Sequence, residues 1–455
     1  MSTVNLLARP PSYDSPPQIH RTPSYAREPR AEERRLAQGY INQRTERAAE
    51  FVKQNKTASI VLRLGDQVEG VEIPSYGMRA PIDGVVELSK PDGLAYVSVK
   101  VEGTMKLHEF GEGGMVTATL CSETVTLWRK GIDPGPCPDR LDFSISLPTQ
   151  YSDEKDTYPL PPTFEAHLSG LPGFHADVEY HVTAIASKTK LPLGKLNSLG
   201  QSAVSTPFIY SPRTCPSSPL PAPLRGSGDL QALPESSEWK TYDATVTART
   251  EGARSVSVRF LVPKSHVFCK TEPIPFHVSF VSSAVTLASM LPYLTTEDNP
   301  SGKSSTRIQL LRQVCVNVKD EYLHSSTNTE LWKVQKLGEG TLRRGVDGPR
   351  MLSFSGEINI DQSVKSGAFK AGGLWVKDFI VFQLNPSNAL KGPIGDARII
   401  VPVRLVTDPY SANTGTYIDT PPSRVSPPES VGHEDLPTLD FNAPLSSSNS
   451  SDSPA

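Results

Sequence analysis

The sequence predicts an all-β protein with two tandem β-sandwich domains. In residues 57–187 and 238–410, apolar residues repeatedly alternate with polar ones at a period of two, which is typical of strands with one buried face. Half of the 42 prolines fall in the remaining segments 1–30, 188–237 and 411–455. The two proline-poor stretches are each long enough to bury a core, so we expect two domains joined by a proline-rich linker.

Composition and charge exclude several classes of protein. The mean hydropathy is −0.32, and no run approaches the roughly 18 apolar residues of a spanning helix, so a transmembrane protein is not expected. The first residues lack the apolar core of a secretory signal. Five cysteines without CxxC spacing argue against a disulfide framework or a cysteine-based zinc site. A net charge of −3 gives no basis for nucleic-acid binding.

The N-terminal part divides into two segments. Residues 1–30 are polar and rich in proline, which predicts disorder. Residues 31–56 contain no proline and many helix formers, with a ragged apolar stripe that includes Leu36, Phe51 and Val52. We interpret 31–56 as either a helix or a linker.

The first predicted sandwich covers residues 57–187. Val97, Val99 and Val101 alternate with polar residues, as do later runs of the same stretch, and turn signals such as Pro91-Asp92-Gly93 separate the runs. No part of the stretch has a sustained helical period. We expect about seven short antiparallel strands in one sandwich.

The second predicted sandwich covers residues 238–410. In one of its runs Ile308, Leu310, Val314 and Val316 alternate, and only Arg312 interrupts the apolar face. This pattern does not identify a polar core of buried charges.

Two further segments lie outside the predicted sandwiches. Residues 188–237 form a Pro/Ser/Gly-rich linker that is too long for an inter-strand turn. Residues 411–455 form an acidic Ser/Pro tail that is predicted to be disordered.

Several phrases of the sequence, in their order and spacing, resemble those of arrestin-fold proteins. The phrases are EIPSYGMRAPIDGVVEL (72–88), VSVKVEG (97–103), LPPTFE (160–165), VEYHV (178–182) and KTEPIPFHV (270–278). The resemblance implies that both domains are arrestin-like sandwiches. The long linker, and the lack of an identifiable polar core or clathrin-binding tail, favour the α-arrestin (arrestin-related trafficking adaptor) family, fungal type, over the receptor-desensitising branch.

A PPxY motif precedes both domains, at Pro10, Pro11, Ser12 and Tyr13. WW domains bind such motifs because the prolines preform a polyproline-II helix and the tyrosine fills a second pocket. The resemblance to α-arrestins implies that Pro10, Pro11 and Tyr13 bind a WW-domain HECT-type ubiquitin ligase. The alternative is a chance match in a proline-rich tract.

A partial copy of the motif follows at residues 21–25, where Thr22 replaces the first proline. Arg9 and Arg21 each stand three residues before a serine, a pattern that basophilic kinases recognise, so Ser12 and Ser24 are candidates for regulation by phosphorylation. A phosphate on Ser12 would add about −1.5 to −2 charges beside Tyr13. The alternative is that both serines stay unmodified.

Enzyme chemistry is not expected. The sequence contains no HExxH motif, no GxSxG motif and no GxxxxGK[ST] phosphate loop, so we predict no catalytic residue, cofactor or metal ligand. The resemblance implies instead a cytoplasmic adaptor that joins the cytosolic tails of membrane transporters or receptors to the ligase, with peripheral recruitment to the plasma membrane or endosomes. The alternatives are an arrestin-fold endosomal coat subunit similar to the retromer component of that fold, and an enzyme with an unrecognised site.

Overall fold

The computed structural model describes twelve ranges of the chain, which contain nearly all of the first predicted sandwich and most of the second. They are 49–111, 114–153, 156–188, 201–222, 224, 238–249, 254–291, 294, 306–318, 331–345, 347–384 and 394–411. The segment 1–30, most of 31–56 and nearly all of the tail 411–455 lie outside these ranges.

The described residues form twenty-two strands and one helix. In the first part of the chain they are β1 (Ala49–Gln54), β2 (Ile60–Gln67), β3 (Ser75–Tyr76), β4 (Pro81–Leu88), β5 (Tyr96–Phe110), β6 (Gly114–Arg129), β7 (Arg140–Ser146), β8 (Gln150–Ser152), β9 (Thr157–Pro159), β10 (Phe164–Leu168), β11 (Gly173–Ser187) and β12 (Gln201–Tyr210). In the second part they are β13 (Trp239–Val246), β14 (Val256–Pro263), β15 (Val267–Cys269), β16 (Ile274–Val281), α1 (Ala284–Met290), β17 (Thr306–Val316), β18 (Leu331–Arg344), β19 (Met351–Ile360), β20 (Phe369–Ala371), β21 (Leu374–Leu384) and β22 (Ala397–Val406).

Strands β1 to β12 form the first β unit. Its two main sheets have the strand orders β1-β2-β4-β7 and β3-β12-β11-β5-β6, with β10 added beside β11, and β8 pairs with β9. Leu62 and Val86 from one sheet share a core with Val101, Val182 and Phe208 from the other. Because each strand buries alternate residues, the two sheets enclose this core as a β-sandwich.

Strands β13 to β22 form the second β unit, which is built differently. Nine strands make one continuous sheet in the order β13-β14-β16-β19-β18-β17-β21-β22-β15, and β20 pairs with β21. The sheet curls around an aromatic core that includes Phe260, Phe276, Phe280 and Phe382. One sheet therefore supplies both sides of the second core.

Helix α1 covers one end of this second core. The Oγ of Ser283 caps the helix by accepting a hydrogen bond from the backbone N–H of Thr286. Leu287 and Met290, three residues apart on one helical face, are buried in the core.

The all-β class and the two separate units confirm the fold class that the sequence predicts. Neither of the two alternatives for 31–56, a helix or a linker, describes residues 49–54, which form strand β1. This strand pairs with β2, and Phe51 packs against the first core. Tertiary pairing has overridden the local preference for a helix.

Part of the predicted linker 188–237 is a strand. Its residues 201–210 form strand β12, which pairs with β11 over eight positions from Tyr180 to Ser187. Val204, Thr206 and Phe208 are buried, so the segment does alternate at a period of two. Ser202, Ser205 and Pro207 gave the segment the composition of a linker.

The first unit has more and longer strands than the seven or so that the pattern predicts. Strand β5 has 15 residues and continues through Gly103, although a glycine commonly weakens or ends a strand. A Cβ atom at Gly103 would lie 2.5 Å from the ring of Tyr180. Glycine is therefore required here by the packing of Tyr180 on the strand.

Candidate functional site

The predicted recognition residues precede the folded part of the chain. Pro10, Pro11, Ser12, Tyr13 and Ser24 lie outside the described residues. Tyr13 is 36 positions before Ala49, the first residue of β1.

The second β unit contributes residues to the core of the first unit. Val314 and Val316 of β17, and Leu374 and Val376 of β21, belong to the core of the first unit although their strands are part of the second sheet. The opposite ends of the same two strands, with Leu310 and Phe382 among others, are buried in the second core. Strands β17 and β21 therefore run from one core into the other.

Polar and aromatic contacts reinforce this junction. The backbone N–H of Gly372 donates to the hydroxyl of Tyr151 over 2.7 Å, and the rings of Phe164 and Phe369 meet edge to face at 5.2 Å. In each contact one partner belongs to the first unit and the other to the second. The contacts fix the relative position of the two units.

A buried ion pair lies where β17 and β21 pass from one core to the other. The guanidinium of Arg312 donates to both oxygens of Asp378, over 2.7 Å and 3.0 Å, and the two side chains are only 6% and 0% exposed. The sequence pattern identified Arg312 only as an interruption of an apolar face. The structure shows a buried pair of charges that the pattern does not identify, because Asp378 stands directly opposite on β21.

The described part of the linker after β12 contacts the second unit. Arg213 pairs with Asp408, with 3.1 Å between its Nε and a carboxylate oxygen, and Thr214 exchanges backbone and side-chain hydrogen bonds with Thr407. Farther along, the backbone N–H of Leu224 donates to Nε2 of His277 over 3.1 Å. The linker is thus attached to the second unit at both of these points.

A cluster of histidines and carboxylates occupies the outer face of β10, β11 and β5. Across these three neighbouring strands, His167, His175 and His108 stand in one row. In the next row Glu165 and Asp177 stand opposite each other. The residues between them along β10 and β11 pack on the first core, so both rows point away from it.

Three of these side chains converge. Single ligand atoms of Glu165, His175 and Asp177 all lie within 4.8 Å of one another, and Nε2 of His175 is 2.6 Å from Oδ2 of Asp177. Burial raises the pKa of Asp177, and the nearby Glu179 and Glu165 add to this effect, while His175 opposes it. The arrangement concentrates negative charge beside an imidazole.

Sequence reasoning missed this cluster because its members do not form a short motif. Glu165 comes from a different strand, and only the pairing of β10 with β11 brings it opposite Asp177. A weaker signal was present, since His175 and Asp177 are two residues apart in an alternating strand and must share a face.

Comparison with known proteins gives no identification. The sequence matches no known protein-family model and no curated protein. Within the described ranges, no helix combines the length and apolarity needed to cross a membrane.

Proposed function

We propose that this protein is an arrestin-like adaptor that brings a WW-domain HECT-type ubiquitin ligase to membrane cargo. Pro10, Pro11 and Tyr13 bind the ligase, and the two β units bind the cytosolic tail of a transporter or receptor. Ubiquitination of the cargo then leads to its endocytosis. The adaptor acts in the cytoplasm, at the plasma membrane or endosomes, and needs no catalytic residue of its own.

The PPxY sequence at 10–13 carries this proposal. Its two prolines restrict the peptide to the extended conformation that WW domains bind, which lowers the entropic cost of association. The nearby copy at 21–25 lacks the first proline and provides an internal comparison. No other motif in the chain specifies a partner of defined chemistry.

The arrangement of the folded part is compatible with a scaffold of fixed shape. Shared packing across β17 and β21, and the hydrogen bond between Gly372 and Tyr151, hold the two units together. A rigid two-unit body can present a cargo at a defined position relative to the first strand.

The assignment to the α-arrestin branch now depends mainly on PPxY. One reason for preferring that branch was an unusually long linker, but residues 201–210 of it belong to strand β12. A second reason was the lack of an identifiable polar core, whereas Arg312 and Asp378 form a buried ion pair.

The distance between the motif and the folded part sets the reach of a bound ligase. If the 36 residues that separate Tyr13 from Ala49 behave as a flexible chain, their root-mean-square length is about 30–36 Å. A ligase at that distance is held at high effective concentration near any cargo on the first unit.

Affinity capture from cell extract tests the proposal. Full-length protein is compared with Tyr13→Ala and with the matched control Tyr25→Ala, and both the ligase and membrane transporters are quantified. We expect Tyr13→Ala to lose the ligase while it retains the transporters, and Tyr25→Ala to retain both. Ligase recovery that does not depend on Tyr13, or no recovery of transporters by any form, contradicts the adaptor.

The structure also determines how the reach of the ligase is tested. A deletion of 31–48 shortens the chain between PPxY and the fold, whereas a deletion of 31–56 would also remove β1. We expect the shorter deletion to change which lysines of the cargo are ubiquitinated while the fold stays intact. An unchanged pattern of ubiquitination contradicts the reach model.

A second candidate function is that of an arrestin-fold endosomal sorting subunit. The close contact between the two units favours it, because such subunits work through fixed domain–domain contacts and do not need PPxY. The same capture experiment separates the two. A sorting subunit keeps its membrane-protein partners in the Tyr13→Ala form and recovers no ligase in either form.

A further inference from the structure

The cluster of Glu165, His175 and Asp177 forms a site for a cation on the outer face of the first unit. We propose that these three side chains bind one first-row divalent transition metal ion, with zinc as the representative ion. The imidazole of His175 supplies Nε2, and Glu165 and Asp177 each supply a carboxylate oxygen. The fourth position faces solvent and is taken by water.

The ligand types favour a transition metal over calcium or magnesium. Imidazole nitrogen is a preferred ligand of zinc, copper and nickel, whereas calcium and magnesium require sets of oxygen ligands, usually six or more. Histidine nitrogen and carboxylate oxygen are both ligands that zinc accepts, and three protein ligands with water in the fourth position are the arrangement of an open zinc site. Their two negative charges offset the charge of the ion.

The positions of the ligands are close to those that zinc requires. With zinc–ligand distances of about 2.0–2.2 Å, tetrahedral ligand atoms lie roughly 3.3 Å apart. Nε2 of His175 and Oδ2 of Asp177 are 2.6 Å apart, a hydrogen-bond distance that has to open when both atoms bind the ion. One ligand atom from each of the three residues lies within 4.8 Å of the others, so small side-chain movements, including one of the exposed Glu165, bring them to the required separations.

The backbone holds the ligands in this arrangement without an ion. His175 and Asp177 are two residues apart on β11, and Glu165 stands directly opposite Asp177 on β10. Since β11 also pairs with β5 along its whole length, the strand that supplies two of the ligands is fixed on both sides. A preorganised ligand set loses little entropy when the ion binds.

The lysine on the neighbouring strand pairs with another carboxylate. Lys106 stands opposite Asp177 on β5, but its Nζ forms an ion pair with Glu179 at 3.0 Å. Among the residues that the structure describes, no cation forms an ion pair with Glu165. An external ion would therefore add charge compensation that the protein does not supply.

Metal binding would also affect the junction between the two units. The ion joins β10 to β11, and β10 carries two contacts to the second unit. Phe164 packs on Phe369, and the carbonyl oxygen of His167 accepts a hydrogen bond from Lys333 over 2.7 Å. We therefore expect the ion to stabilise this junction as well as the edge of the sheet.

Calorimetric titration of the full-length protein with zinc chloride tests the site. We expect saturable binding that Glu165→Gln, Asp177→Asn and His175→Ala each weaken by at least about tenfold, because each removes one ligand. His181→Ala is the matched control, since His181 lies on the same strand and the same outer face but outside the cluster, and it should leave the affinity unchanged. Glu165→Gln and Asp177→Asn preserve side-chain shape, so a loss of binding in them does not depend on misfolding.

Thermal unfolding gives an independent measurement. Zinc should raise the Tm of the wild type and of His181→Ala, and should raise it less in the three ligand variants. The site is refuted by wild-type protein that does not bind zinc, or by ligand variants that bind it as tightly as the wild type. Equal affinity for calcium would overturn its assignment as a transition-metal site.

Discussion

Arg312 and Asp378 are direct cross-strand neighbours at the boundary between the two hydrophobic cores. On one side of the pair, Val314 of β17 and Val376 of β21 are buried in the first core. On the other side, Leu310 of β17 and Ile380 of β21 are buried in the second core. Two parallel hydrogen bonds join the guanidinium to the carboxylate. The pair compensates two charges that would otherwise be costly to bury, and it fixes the register of the two strands.

Removing one member of this pair should destabilise the protein strongly. Asp378→Ala leaves the guanidinium of Arg312 buried without its partner, which typically costs about 3–5 kcal/mol of unfolding free energy. The matched control is Glu339→Ala, which removes the exposed pair between Lys336 and Glu339 and should cost less than about 1 kcal/mol. Denaturant unfolding measures both.

A double variant separates lost charge compensation from lost packing. Arg312→Met with Asp378→Leu replaces both charges by apolar groups, and we expect it to be clearly more stable than Asp378→Ala. Similar losses in Asp378→Ala and Glu339→Ala would show that the buried pair does not have the proposed importance.

The hydrogen bond between Tyr151 and Gly372 provides a local test of the junction between the units. Tyr151→Phe keeps the ring and removes the acceptor for the N–H of Gly372, so unfolding free energy should fall by about 1 kcal/mol. Tyr158, the strand partner of Tyr151, is the control because its hydroxyl donates to nearby Asp156 of the same unit over 3.3 Å. Tyr158→Phe should change stability by a few tenths of a kcal/mol at most. Equal effects of the two variants in denaturant unfolding would contradict the role of Tyr151.

The contact between the linker and the second unit should weaken in acid. Burial lowers the pKa of His277 from its usual 6.5 to about 4, and the neutral ring accepts the hydrogen bond from Leu224. The unfolded chain therefore binds more protons than the folded chain between these two values. Stability from this group is fully present above pH 6.5 and is lost as the pH falls through 4, with a slope of at most about 1.4 kcal/mol per pH unit.

Urea unfolding of the wild type and of His277→Gln, measured at several pH values, tests this dependence. The difference in unfolding free energy between the wild type and His277→Gln should change between pH 6.5 and pH 4, because glutamine does not titrate. His181→Gln serves as the control for a histidine at the sheet surface. A difference that is constant from pH 7 to pH 4 would contradict the assignment to His277.

Gly103 should not tolerate a side chain. An alanine Cβ there would lie 2.5 Å from the ring of Tyr180 and 3.0 Å from Sγ of Cys121, so the first core must rearrange. We expect Gly103→Ala to cost about 1–3 kcal/mol of unfolding free energy. At Gly65 the nearest atom would be 3.7 Å away, an ordinary contact, so Gly65→Ala is the matched control and should be close to neutral. Similar Tm values for the two variants would show that Tyr180 can move aside.

The sequence by itself determined the all-β class and the positions of several long strands, because a two-residue period follows directly from the geometry of a half-buried strand. It also contains the PPxY motif, whose chemistry depends on adjacent residues and not on the fold. Local patterns did not predict β1 or β12. The helix formers of 31–56 favoured a helix over β1, and the serines and the proline of β12 favoured a linker. Both segments are strands because a neighbouring strand pairs with each of them.

Only the tertiary structure decided which distant residues meet. It paired Arg312 with Asp378, which is 66 positions later in the chain. Arg312, which interrupts an apolar face in the sequence, therefore lies at the boundary between the two cores. The tertiary structure likewise placed Glu165 opposite Asp177 and beside His175. Strand pairing joins positions with no fixed separation along the chain, and no period or motif in a single sequence encodes that separation.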